Sequence, residues 1–320
     1  MKEKDLSRNQ DSIAIFDQLY SSPQTFGSIA QVVDDVRIVD LGVSCNGGVS
    51  AGISLAKISA GGLADVSVLK SSILQSNPTC VQFRTDHPLS CCIGSQYAGW
   101  PISHNSYFAM GSGPIRAIRQ KEKILAEYDL VESDESGVLC LESAHLPNSD
   151  VISLIVNETG IDRSQLRIAV APTRSIAGSI QVVARSVETC LHKLHEVGFD
   201  LRQIVSGIGI APVPPIAADD LKGIGMTNDA ILYGGDVELW VKCSDDQLAE
   251  IGPQTPSGAS ADYGRPFYEL FKANEFDFYK IDPLLFSPAK VTFNNLLSGR
   301  SFQFGSLNED LVSKSFGVQV

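Results

Sequence analysis

The run LRIAVAPTRSIAGSIQVVARSVETCLHKLHEVGF, residues 166–199, switches from one hydrophobic period to another. Its first seven residues, LRIAVAP, are almost continuously apolar, which predicts a segment buried in a core. From Ser175 onward Ile176, Ile180, Val183, Val187, Leu191 and Leu194 recur at steps of three and four, the stripe of one amphipathic helix that Gly198 ends. Strand-like and helix-like segments alternate throughout the chain around this run, which predicts a mixed α/β protein. At about 100° per residue Gln181, Arg185, Glu188 and His192 share the opposite face. That polar row has two readings: a solvated surface with a weak i,i+3 pair of Arg185 and Glu188, or the wall of a cleft in which Arg185 aims Glu188 and favours its charged form.

Elsewhere the same alternation continues. Asp11–Leu19 reads as a helix, and VRIVDLGVS (36–44), AGISLAKIS (51–59) and LADVSVLKS (63–71) read as strands, the last two separated at Gly61-Gly62. Pro114 opens the helix-forming stretch PIRAIRQKEKILAEY, at a position where proline's missing N–H costs nothing. ESDESG (132–137) is a polar turn before the strand VLCLES, and VISLIV and DLRQIVSGIG supply further buried segments. IAPVPPIAADD (210–220) and GPQTPSGASADYG (252–264) read as ordered active-site loops rather than linkers. No linker marks a boundary inside residues 1–320, which read as a single unit.

The 320 residues, 43% hydrophobic and 19% charged, suit one large domain or two ordinary lobes with a packed core. A net charge of −12 disfavours nucleic acid as a partner. The start MKEKDLSRNQDS lacks the apolar core of a secretory signal, and no later stretch approaches the ~18 apolar residues of a membrane span, so the expectation is a cytoplasmic protein with no membrane partner. Cys45, Cys80, Cys91, Cys92, Cys140, Cys190 and Cys243 are scattered without a CxxC pair and read as reduced thiols. His192 and His195 at i,i+3, and His87 four residues before Cys91, are the pairs a metal-dependent hydrolase could use; neither has a closing set of ligands, and the expectation is no metal. The GSGP turn (111–114) ahead of a helix would offer free backbone N–H groups to an anion, or is simply a turn.

Seven collinear blocks carry a more specific signal: SAGGLADV (59–66), TDHP (85–88), GSQYAGW (94–100), YFAMGSGP (107–114), APTRSIAGSIQVVARSVET (171–189), TNDAILYGG (227–235) and DYGRPFYELFKANEFDFYKIDPLLFSP (262–288). Together they resemble the methenyltetrahydromethanopterin cyclohydrolases of methanogenic archaea and methylotrophic bacteria. The resemblance implies two mixed α/β lobes of α+β type with an inter-lobe active-site cleft, assembly as a homotrimer, and reversible hydrolysis of a methenyl-pterin to its formyl form. It maps the family's R-x-x-E pattern onto Arg185 and Glu188, the acid shuttling a proton and the arginine orienting it. The tetrahydromethanopterin derivative is then the substrate's carrier and no cofactor is needed. Asp86, His87, Gly111, Ser112, Gly113, Gln181 and Tyr263 become candidate contacts to the carrier. Asp86 and His87 serve equally as a turn cap, while Tyr263, Phe267 and Tyr268 offer aromatic faces to a flat pterin but read more readily as core packing. A pterin-binding protein without turnover is the alternative from another class.

Overall fold

The computed structural model describes residues 6–71 and 79–317. In chain order the first half forms α1 (Arg8–Ser21), β1 (Ile29–Val33), β2 (Val36–Asp40), α2 (Val49–Ser59), β3 (Asp65–Lys70), β4 (Thr79–Thr85), β5 (Trp100–His104), β6 (Tyr107–Ser112), α3 (Ile115–Arg119), α4 (Lys123–Glu127), β7 (Gly137–Glu142) and α5 (Ser149–Thr159). There follow β8 (Leu166–Ala171), α6 (Ile176–Val183), α7 (Ser186–Glu196), β9 (Ile204–Pro212), α8 (Asp220–Leu232), β10 (Asp236–Val241), α9 (Asp245–Ile251), α10 (Phe267–Ala273), β11 (Lys290–Asn295), β12 (Ser301–Gly305) and α11 (Glu309–Phe316). The class is mixed α/β, built on two mixed sheets. The described residues divide into two compact units, one made of those up to Ala64 with Ser90–Gln181, the other of Asp65–Leu89 with those from Val182 onward. The chain passes from one unit to the other three times: in the short connection between α2 and β3 that follows Gly61-Gly62, at the start of the π-helical turn Leu89–Gln96, and inside α6.

The first unit holds a sheet of order β1-β2-β8-β7-β6-β5, with β2, β8 and β7 parallel and the outer pairs antiparallel. Its central strands are buried on both faces, which is why VLCL and IAVA read as unbroken apolar runs. Leu139, Leu141, Ile168 and Val170 join a core with Val151, Ile152 and Ile155 of α5. Val138, Cys140, Ala169 and Ala171 point the other way into a core with Phe16 and Leu19 of α1 and Leu55 and Ile58 of α2.

In the second unit the sheet order is β12-β11-β10-β9-β4-β3; β10 and β11 are parallel and every other pair is antiparallel. Val187, Leu191 and Leu194 of α7 are fully buried, as are Phe83, Val237, Leu239 and Phe293 of the strands.

Three expectations are corrected. AGISLAKIS is a helix, part of α2: Ala51, Leu55 and Ile58 are among its buried positions, a helical spacing that the local alternation of Ala51, Ile53 and Leu55 disguised. The stretch after Pro114 forms two short helices, because Gln120 takes a left-handed conformation (φ 55°) between them. The helix expected from Ser175 to Gly198 is also two: α6 ends at Val183, the Arg185 N–H bonds to the Val182 carbonyl at 3.1 Å, and α7 starts from Arg185. Gly198, at φ 83°, is the stop the sequence predicts.

Candidate active site

The break after α6 changes what Arg185 and Glu188 can do. They are not a stripe on a continuous solvated helix: Arg185 caps α7 with φ −85° and ψ 10°, and Glu188 lies in the first turn, where the exposed N–H groups and the helix dipole favour negative charge. Both are buried, with relative exposures of 6% and 4%. The solvated reading of this face therefore fails at its two central members.

The approach of α7 to the sheet is set by glycines. A Cβ on Gly209 would stand 2.3 Å from Ser186 Oγ and 3.0 Å from a Val187 methyl; one on Gly207 would stand 2.9 Å from the other Val187 methyl. Strand β9 thus surrenders side chains where the first turn of α7 rests, bringing its backbone closer than any larger residue permits. Gly207 pairs in register with Thr85, the last residue of β4. Asp86 and His87 consequently leave the sheet at the rung on which Val187 sits. Ser206 Oγ donates to Asp86 Oδ1 at 2.8 Å and the His87 N–H donates to Thr85 Oγ1 at 3.1 Å, so the TDHP segment is a hydrogen-bonded turn with Asp86 exposed and His87 half-buried.

Further along α7, Lys193 is 1% exposed and its ammonium donates to the Leu284 carbonyl. Burial pushes its pKa down to about 8 against the opposing pull of the Asp282 carboxylate. Asp282 in turn orders two segments: its Oδ1 accepts the Leu284 N–H at 3.0 Å, its Oδ2 accepts Ser260 Oγ at 2.5 Å, and its N–H donates to Asp262 Oδ2 at 2.9 Å. The GPQTPSGASADYG loop is therefore tied in place, as expected of an ordered segment. Tyr263, at its end, is half-buried, lies 5.1 Å from the Tyr233 ring and accepts a hydrogen bond from Asn308 Nδ2 at 3.3 Å. Phe267 belongs to an aromatic core with Phe271, Phe278 and Phe286, and Tyr268 sits near Phe276.

The remaining candidates lie in the first unit. Gln181 in α6 is 1% exposed, and neither its Oε1 nor its Nε2 has a hydrogen-bond partner among the described residues. An amide so placed normally meets a partner. Gly111, Ser112 and Gly113 are buried at the end of β6, and the Gly113 N–H donates to the Ser95 carbonyl at 2.9 Å. The free amide expected at this turn is thus already committed at Gly113. His192 is partly buried with Glu196 Oε1 at 3.9 Å, and among the described residues no three His, Cys, Asp or Glu side chains converge to hold a metal. All seven cysteines are free thiols, and no helix among the described residues is long and apolar enough to cross a membrane.

Sequence reasoning missed Lys193 and the spacing glycines 207 and 209. Lys193 sits on the flank of the apolar stripe beside Cys190 and Leu194, the one available hint that it faces inward.

Comparison with known proteins adds a consistent result. The family model described as "Cyclohydrolase (MCH)" matches residues 7–316. The chain is 46% identical to the methenyltetrahydromethanopterin cyclohydrolase of Rhodopirellula baltica, over 99% of this chain and 96% of that one. It is 45% identical to the enzyme of the same name from Methylobacillus flagellatus, over 90% of this chain and 88% of the relative. With that of Methanospirillum hungatei it shares 43% identity over 98% of this chain and 99% of the other.

Proposed function

Because this chain belongs to the methenyltetrahydromethanopterin cyclohydrolase family, we propose that it catalyses the reversible hydrolysis of 5,10-methenyltetrahydromethanopterin to the 5-formyl compound. The observation that carries the reading into chemistry is the burial of Arg185 and Glu188 on a single helical turn.

The methenyl carbon bridges two nitrogens as a delocalised amidinium cation. Water attacks that carbon, the positive charge is lost as the C–O bond forms, and a proton must leave the water. A carboxylate beside the cation stabilises the bound substrate and accepts that proton, help worth about 10²–10⁴-fold for a general base. Glu188 is the group in that role. It then returns that proton to the departing ring nitrogen as the C–N bond breaks, while the intermediate's hydroxyl becomes the formyl carbonyl and its proton is released to solvent, so one carboxyl serves both steps. Arg185, with its rigid fork of donors, orients Glu188 and balances its proton affinity. The step uses no metal or cofactor.

Asp86, His87, Gln181 and Tyr263 are assigned to the carrier. Gln181's unsatisfied amide supports it as a hydrogen-bonding contact, while Gly111, Ser112 and Gly113 hold that assignment on the resemblance alone. The same reading makes the protein a cytoplasmic homotrimer, a mass that light scattering of the purified protein checks.

The activity is tested by following loss of methenyl-tetrahydromethanopterin absorbance with chelator-treated protein. A rate well above buffer is expected. Binding without turnover would favour the carrier-protein alternative, and activity restored only by a divalent metal would favour a metal-dependent hydrolase.

A further inference from the structure

A buried ammonium is expensive. Lysine at an internal helix position gives up its hydration, and an alkyl chain of the same length would fill the space at lower cost. Lys193 nevertheless occupies such a position, at 1% exposure, and the Leu284 carbonyl is its hydrogen-bond acceptor.

The helix geometry shows where that bond acts. Five residues separate Lys193 from Glu188, which puts their side chains about 140° apart around the axis. Lys193 therefore lies on the flank of α7 that carries Ser186, the residue resting against Gly209, and away from the flank of Glu188. Contact of Ser186 and Val187 with the β9 glycines fixes how near the start of α7 comes to the sheet. Burial of Val187, Leu191 and Leu194 sets which face of α7 meets the sheet, and a polar anchor on the neighbouring flank narrows the rotation that remains. Lys193 supplies that anchor, nearly two turns on, through a segment that Asp282 has already tied to the loop ending in Tyr263.

We propose that Lys193 is a positioning residue for the hydrolysis: its bond to the Leu284 carbonyl narrows the rotation left to α7 and so sets the aim of the Glu188 carboxylate, and it couples the helix to the 257–264 loop. This rests on the assignment of Glu188 as the proton shuttle. Misdirecting a catalytic group by an ångström costs up to about 10²-fold in rate, so an effect on turnover much larger than on substrate binding follows.

The test is a double-mutant cycle on the full-length enzyme with E188Q, K193M and the pair, reading kcat, KM and melting temperature. K193M is expected to lower kcat about 10–100-fold, with KM within about threefold and a melting temperature unchanged or raised, since an apolar chain replaces a buried charge. In the E188Q background the same substitution should cost less than about twofold, because nothing remains to aim. K193Q, whose shorter amide reaches the carbonyl imperfectly, should fall between; if K193M does not fold, the cycle is run with K193Q. A K193M kcat near wild type, or losses that multiply fully in the double variant, overturns the proposal. Turnover persisting in E188Q itself would instead overturn the assignment of Glu188, so the two failures are separable.

Discussion

Strands β8 and β9 solve opposite problems. Every residue of β8 (LRIAVA) is buried, and the strand feeds side chains into cores on both faces of its sheet. In β9 (IVSGIGIAP) the buried positions facing α7 are Gly207 and Gly209, while Val205 is exposed and Ile208 and Ile210 are half-buried. One strand stabilises by the mass of its side chains. The other gives up that mass so that a helix bearing a buried acid can settle close to its backbone. The lesson is a division of labour: damage at β8 should appear as lost stability, and damage at β9 as lost turnover.

The largest expected effect on stability is at β8. Ile168→Ala removes a fully buried side chain from the core shared with α5 and should cost about 2–5 kcal/mol in chemical denaturation. The kcat of the fraction still folded should be unchanged; a fall in kcat per folded molecule would break the comparison.

Gly209→Ala comes next. Its added methyl would overlap Ser186 Oγ and force α7 outward, an overpacking cost of about 1–3 kcal/mol. Here kcat should fall about tenfold or more, beyond what the stability change explains, because Glu188 moves with the helix. Normal turnover in this variant would show that the glycines only ease folding.

The smallest effect concerns Asp229 of α8, which accepts the Phe267 N–H at 2.8 Å and Ser315 Oγ at 2.5 Å, joining α8 to α10 and α11. Burial raises its pKa from 3.8 to about 7. The folded state then holds this proton more tightly than the unfolded chain does. The group's stabilising contribution is complete below the unfolded value and is lost as pH rises through about 7. Asp229→Asn keeps both hydrogen bonds, the amide now donating to Ser315, without a charge to bury. Its melting temperature should gain on wild type as pH rises between 5 and 8, by about 4 °C more at the upper end than at the lower. A difference that does not vary with pH would place the titration elsewhere.

The same contrast explains what could be read from the sequence. β7 was legible as a strand and β8 as a buried segment, because a strand buried on both faces shows an unbroken apolar run. The apolar stripe from Ile180 to Leu194 was legible too, since its members stay buried across the break. The break itself was not: Ala184 and Arg185 carry no Gly or Pro signal, and the turn follows from tertiary packing rather than local preference. AGISLAKIS deceived because an eleven-residue helix with small residues can imitate period two over a few positions. At the candidate site, Arg185 and Glu188 could be named from the RSVET segment, but their burial could not, because periodicity assigns them to the polar face. Lys193 was hidden by the same rule: a lysine beside a stripe reads as solvated until the Leu284 carbonyl is seen to meet it.

The carboxylate of Glu188 is the group on which hydrolysis depends, and its replacement by the isosteric amide is the most direct trial. For Glu188→Gln, kcat measured by loss of methenyl absorbance at saturating substrate should fall about 10²–10⁴-fold, with substrate still bound and the fold intact. Turnover close to wild type in a correctly folded Glu188→Gln protein would contradict it.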